Sequence, residues 1–139
     1  MLKYRLLHPE VLRGLGEAGH GAQILIADGN YPLLTRTHPG ARRVYLNLAP
    51  GMVSVTDVLK VLTTAIPIEA ALTMRADGGE EPPILADFRA LLPGMALQSL
   101  ERFEFYEAAR GPDLALAIAT GESRTYANIL LTIGVVEPD

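Results

Sequence analysis

Cysteine is absent from the 139 residues, which removes a disulfide framework, a thiolate zinc site and a cysteine nucleophile together. Lysine occurs only as Lys3 and Lys60, so no phosphate loop with a Walker lysine can be written. The three histidines, His8, His20 and His38, show no H-x-H or H-x-x-x-H spacing; a metal could be held only by long-range assembly. Ser54, Ser99 and Ser123 lie in no G-x-S-x-G elbow. Positive charge is thin: the net charge is −4, and of ten arginines only Arg42 and Arg43 are adjacent. No basic stripe is therefore offered to nucleic acid. No apolar run approaches the roughly 18 residues of a membrane span, and Leu6-Leu7 is too short a core for a signal peptide. One domain over residues 1–139, in the cytoplasm, with no nucleic-acid or membrane partner, is the expectation.

What remains is globular in composition, 49% hydrophobic and 20% charged, and long enough to bury a sizeable core. Helical spacing of Val11, Leu12, Leu15 and Ala18 behind Pro9 predicts a helix from about His8 to Ala18, ended by Gly19. A continuous apolar strand, Gln23 to Ala27, reads as central. A turn-rich loop over 30–40 and a strand over 43–48 follow. Ser54 with Asp57 resembles a capping box before a helix whose apolar face is Val55, Val58, Leu59, Leu62 and Ala65. Strands are expected at 68–74, 96–100, 113–119 and 127–133, and helices at 84–92 and 103–109, with Phe103 and Tyr106 as core. Such alternation points to an α/β fold with a largely parallel or mixed sheet.

One literal motif fails. Gly14-Leu15-Gly16-Glu17-Ala18-Gly19 matches G-x-G-x-x-G, but its strand comes after it, whereas a dinucleotide fingerprint needs the strand first. Two other groupings carry chemistry. His20 stands between Gly19 and Gly21, and Asp28 closes the following strand beside Gly29. Two titratable groups bracketing one strand suggest acid–base work at a sheet edge, though an Asp-Gly pair is also an ordinary turn. His20 falls just past a helix C-terminus, where the macrodipole favours an imidazolium and so a general acid. Tyr126 and Asn128, two apart at the entrance to a strand, would face one side and offer donors and acceptors suited to sugar hydroxyls. They would serve equally well as a strand aromatic and a turn residue. Arg102, where a strand ends, either binds a substrate oxygen or pairs with a glutamate.

These segments together resemble a known family. His-Pro-Glu-Val-Leu runs into Gly-His-Gly and Ile-Leu-Ile-Ala-Asp-Gly-Asn-Tyr-Pro; later come Arg-Phe-Glu-Phe-Tyr-Glu-Ala-Ala-Arg, Ala-Ile-Ala-Thr-Gly-Glu and Tyr-Ala-Asn-Ile-Leu-Leu. The series is similar, over essentially the whole chain, to the D-ribose pyranase / L-fucose mutarotase (RbsD/FucU-like) family. The resemblance implies a three-layer α/β sandwich with a mixed, mostly parallel sheet, assembled as a homo-oligomeric ring, commonly a decamer. It implies that His20 is the proton donor and that Asp28, Arg102, Tyr126 and Asn128 bind a monosaccharide. Asp28 either orients His20 or takes a hydroxyl. The arginine at 102 resembles the fucose branch, making L-fucose the first sugar to consider. Opening and closing a cyclic hemiacetal needs a proton donor, an acceptor and a hydrogen-bonding frame, and no cofactor or metal. A D-ribose pyranase or a non-catalytic sugar-binding module would use the same frame.

Overall fold

The computed structural model describes residues 1–139. The elements run α1 (Pro9–Glu17), β1 (Gln23–Ala27), β2 (Arg42–Tyr45), α2 (Val55–Leu62), β3 (Ile68–Met74), α3 (Ile84–Leu91), β4 (Leu97–Leu100), α4 (Arg102–Ala109), β5 (Leu114–Ala119) and β6 (Ile129–Ile133). Six strands form one sheet in the order β2-β5-β1-β6-β3-β4. β1 pairs parallel with β5, and β5 with β2; β3 pairs parallel with β4. β6 alone runs the other way, antiparallel to both β1 and β3, and joins the two parallel blocks.

Alternation along the strands divides the core in two. Ile24 and Ile26, Leu116 and Ile118, and Ile129 and Leu131 point to one face, which meets Val11 of α1, Val55, Leu59 and Leu62 of α2, and Phe88 of α3. Leu25 and Ala27, Ala117 and Ala119, and Leu130 point to the other face. There they meet Phe105 and Ala109 of α4 and Tyr31, Leu33 and Ala41 of the connection from β1 to β2. The result is three layers. β1 is sandwiched between β5 and β6 and covered on both faces, which is why its sequence is apolar without alternation.

Local signals hold the helices. His8 caps α1 by accepting from the Val11 N–H, and Ser54 and Asp57 form a reciprocal capping box on α2. Glu101 caps α4 by accepting from the Glu104 N–H at 2.9 Å. Strand boundaries are tighter than expected at β2, β4 and β6; β6 begins at Ile129, not Ala127. On α4, Phe105 and Ala109 are the buried residues while Phe103 is 54% exposed. Phe103 is therefore not core. No helix is long and apolar enough to cross a membrane.

One edge of the sheet matters for function. Because five strands are parallel and β6 is reversed, the C-terminal ends of β1 to β5 and the N-terminal end of β6 lie on the same edge. In open α/β sheets ligands bind outside the carboxyl ends of the strands, where the topology reverses.

Candidate active site

Asp28, immediately after β1, is buried at 5% exposure. Its Oδ1 accepts from the Asn30 N–H at 2.9 Å; its Oδ2 accepts from the Ala127 N–H at 3.0 Å and from Asn128 Nδ2 at 3.2 Å. The Asp28 N–H in turn donates to Asn128 Oδ1 at 2.8 Å. Two residues a hundred positions apart thus lock the end of β1 to the start of β6. Burial pushes the Asp28 carboxyl above its usual range, and the donors from Asn30, Ala127 and Asn128 pull against it.

Tyr126 and Asn128 do reach one site, but not by strand alternation, since both precede β6. Tyr126 has φ 57°, a left-handed conformation unusual for a bulky residue. Such a residue costs about 1–3 kcal/mol and persists where its surroundings over-determine it. Here the bond from the Ala127 N–H to Asp28 does so, and the turn delivers Asn128 to Asp28 and Tyr126 to the cavity beside them.

That cavity, about 240 Å³, is lined by Asp28, Arg102, Tyr126 and Asn128 together with Asn30, Tyr31, Met74, Tyr106 and Thr125. Four of the five residues singled out in the sequence therefore converge. The volume lies below the roughly 300–1,000 Å³ of sites for drug-sized ligands, and suits a single sugar ring. Arg102, the first residue of α4, forms no ion pair with any glutamate; its guanidinium lies 4.6 Å from the centre of the Phe103 ring, and its buried Nε has no hydrogen-bond partner. An unpaired buried donor costs about 1–3 kcal/mol, which an oxygen of a bound ligand would recover.

Tyr106 and Tyr31 were not read from the sequence as site residues. Tyr31 packs edge-on against Phe105 and Tyr106, and its hydroxyl donates to the Arg36 carbonyl at 2.8 Å. Burial holds its phenol well above the ordinary range. The signal for Tyr106 was its i+4 spacing from Arg102, which places both on one side of α4. A second, larger hollow of about 420 Å³ lies alongside, sharing Asn30 and lined by Asn47, Pro50, Thr120 and Glu122. Its wall is held by Glu122, which accepts from Arg124 Nε and Nη2 at 3.0 Å each and from the Val55 N–H at the start of α2 at 3.3 Å. Burial would raise the Glu122 carboxyl; the bonds from Arg124 and Val55 outweigh it and leave it lowered.

His20 is elsewhere. It precedes β1 while Asp28 follows it, so the five residues of β1 separate them, about 17 Å of strand. Asp28 does not orient His20 within one chain. Its partner is Glu69 near the start of β3, with Nε2 3.0 Å from Oε2. Nowhere in the chain do three His, Asp or Glu side chains converge in a manner that could hold a metal ion.

The model of the RbsD / FucU transport protein family matches residues 1–136. The chain belongs to this family. It is 33% identical to the D-ribose pyranase of Paracidovorax citrulli, over 97% of this chain and 98% of that one. The fold superposes on Bacillus subtilis RbsD complexed with D-ribose with a TM-score of 0.85 and 26% identity, covering 99% of this chain and all of that one. It superposes equally on the fucose mutarotase from Streptococcus pneumoniae in complex with L-fucose, with a TM-score of 0.84, 26% identity and the same coverage. This RbsD/FucU chain thus shares its whole length with enzymes of both branches.

Proposed function

We propose that the protein is an aldose mutarotase, interconverting the anomers of a monosaccharide, L-fucose foremost, without a cofactor. What supports this most is the convergence of Asp28, Arg102, Tyr126 and Asn128 on a small polar cavity with an unpaired guanidinium Nε. Asp28 and Asn128, fixed by each other, offer the lone pairs left on their oxygens to sugar hydroxyls. Arg102 supplies a donor for a sugar oxygen, and Tyr126 and Tyr106 add phenols beside it.

His20 moves the proton. In ring opening an imidazolium N–H gives its proton to the ring oxygen as the C1–O bond breaks onto that oxygen, and the anomeric hydroxyl loses its proton to solvent as the carbonyl forms. After rotation about C1–C2 the same transfers run backwards on the other face. Acid–base assistance of this kind supplies about 10²–10⁴-fold in rate. A donor must come within about 2.6–3.2 Å of the atom it serves, which β1 forbids within one chain. We therefore assign the working His20 to a neighbouring copy in a homo-oligomeric ring, for which a decamer is our reading. Tyr45, Leu48, Met52, Val53 and Phe103, all exposed large apolar side chains, supply surface for such contacts. A cysteine-free chain also suits the reducing cytoplasm.

Saturation transfer between the α and β anomers of L-fucose, then between pyranose and furanose D-ribose, tests the reading. Exchange on fucose at catalytic protein concentration supports the mutarotase. Faster ribose exchange would move the chain to the pyranase branch, and binding of either sugar without exchange would make it a binding module.

A further inference from the structure

The pairing of His20 with Glu69 is built, not incidental. β3 and β6 pair Ile68 with Ile133 and then Ala70 with Thr132, so β3 advances two residues while β6 advances one. Glu69 is the extra residue of that bulge. Bulges leave one residue outside the ladder and re-aim its side chain, and they recur beside active sites. This one turns the Glu69 carboxylate toward His20, with Nε2 3.2 Å from Oε1 and 3.0 Å from Oε2.

The other side is fixed as firmly. Gly21, at φ 84°, turns the chain after His20, and its N–H donates to the Ile133 carbonyl at 2.9 Å. Ile133 N–H donates back to the Ala22 carbonyl at 2.9 Å, so the His20 turn is tied to the end of β6. Gly134 follows, and its N–H donates to the Pro67 carbonyl at 2.9 Å, tying β6 to the entry of β3. A Cβ at Gly134 would stand 3.3 Å from the Cβ of Glu69. Histidine and glutamate thus meet over the end of β6, at a position where a glycine keeps the space clear.

Stability does not explain the arrangement. The two side chains are 59% and 45% exposed, and exposed ion pairs add little to a fold. Chemistry does. A carboxylate only accepts hydrogen bonds, so Nε2 must carry a proton in both the neutral and the charged ring. Nδ1, which has no partner within the chain, is then the atom whose proton comes and goes. We propose that Glu69 is the positioning residue for His20, fixing the ring's orientation and its Nε2–H tautomer so that Nδ1 exchanges the proton with the sugar ring oxygen. This rests on the assignment of His20 as the proton donor.

The test compares His20→Ala, Glu69→Gln and Glu69→Asp by saturation transfer over a range of L-fucose and D-ribose concentrations, which separates kcat from KM. Glu69→Gln should lower kcat tenfold or more and leave KM unchanged, because Glu69 contacts the imidazole through Nε2, on the side of the ring away from the Nδ1 that meets the sugar. The loss should stay below the roughly 10⁴-fold seen when a buried triad carboxylate becomes an amide. Glu69→Asp, keeping the charge, should recover part of kcat, and the thermal midpoint of both should match wild type. An inactive His20→Ala beside a Glu69→Gln protein with wild-type kcat would overturn the role of Glu69 alone. So would a Glu69→Gln defect confined to KM, or one that Glu69→Asp does not relieve. Wild-type exchange by His20→Ala would instead overturn the proposed role of His20.

Discussion

Two inactive variants should repair each other. His20→Ala removes the proposed proton donor, and Arg102→Leu removes the guanidinium whose Nε is unpaired from the cavity proposed to hold the sugar. If the working His20 belongs to a neighbouring copy, a ring containing both variants at random has intact donors on half of its chains and intact cavities on the other half. About a quarter of the sites then combine the two, so mixed rings should show about 25% of wild-type exchange while each pure variant shows almost none. The estimate follows from the separation of His20 and Asp28 by the whole of β1. Were both groups supplied by one chain, no site in any mixture would be complete. The assay is co-expression with two different tags, purification on both in succession, and saturation transfer on L-fucose and D-ribose. Mixed rings as inactive as either parent would refute an inter-chain site, and activity in pure His20→Ala would refute the role of the histidine.

Other consequences follow from contacts in the fold. Asn128→Ala leaves the Asp28 N–H and carboxylate each short of a partner, which should cost about 2–4 kcal/mol in urea unfolding at fixed protein concentration, and should raise KM. Thr73 is fully buried and its hydroxyl has no partner. Thr73→Val, of the same shape, should stabilise the protein by about 1 kcal/mol with exchange unaltered. The carboxyl of Glu122 is lowered in the folded protein, so its stabilisation is present above the unfolded value near pH 4.3 and lost as pH falls through the folded one. Glu122→Gln should therefore flatten the acid limb of a thermal-midpoint profile, and an unchanged limb would count against the link from Arg124 and Val55.

Much of this architecture was readable from local signals. Capping at Ser54 and Asp57, the apolar run of β1 and the terminator at Gly19 are short-range chemistry, and α1, β1 and the start of α2 form where expected; α2 itself ends at Leu62, short of the Ala65 that its apolar spacing had included. Asp28, Arg102, Tyr126 and Asn128 could be named because they sit at strand ends and in recognisable segments. Three features depend on distant residues and were not readable. The left-handed turn at Tyr126 exists because Asp28, about a hundred positions away, receives the Ala127 N–H. The bulge at Glu69 appears only once β3 is laid against β6. Tyr106 looked like core because aromatic spacing on a helix reports a face, not what the face meets; Phe105, out of that spacing, is the residue that fills the core.

The reversed strand also sets a timetable for biosynthesis. β6 is the only link between the β2-β5-β1 block and the β3-β4 block, yet it follows all of them along the chain. A nascent polypeptide emerging from the ribosome can assemble fragments of either block, but residues 129–133 must leave the exit tunnel before the two can be joined. Until then Leu25, Leu72 and their neighbours border an open seam, and chaperones have their longest opportunity to engage it. The cavity lined by Asp28, Arg102, Tyr126 and Asn128, which needs the junction of β1 with β6, cannot exist at any earlier stage of translation.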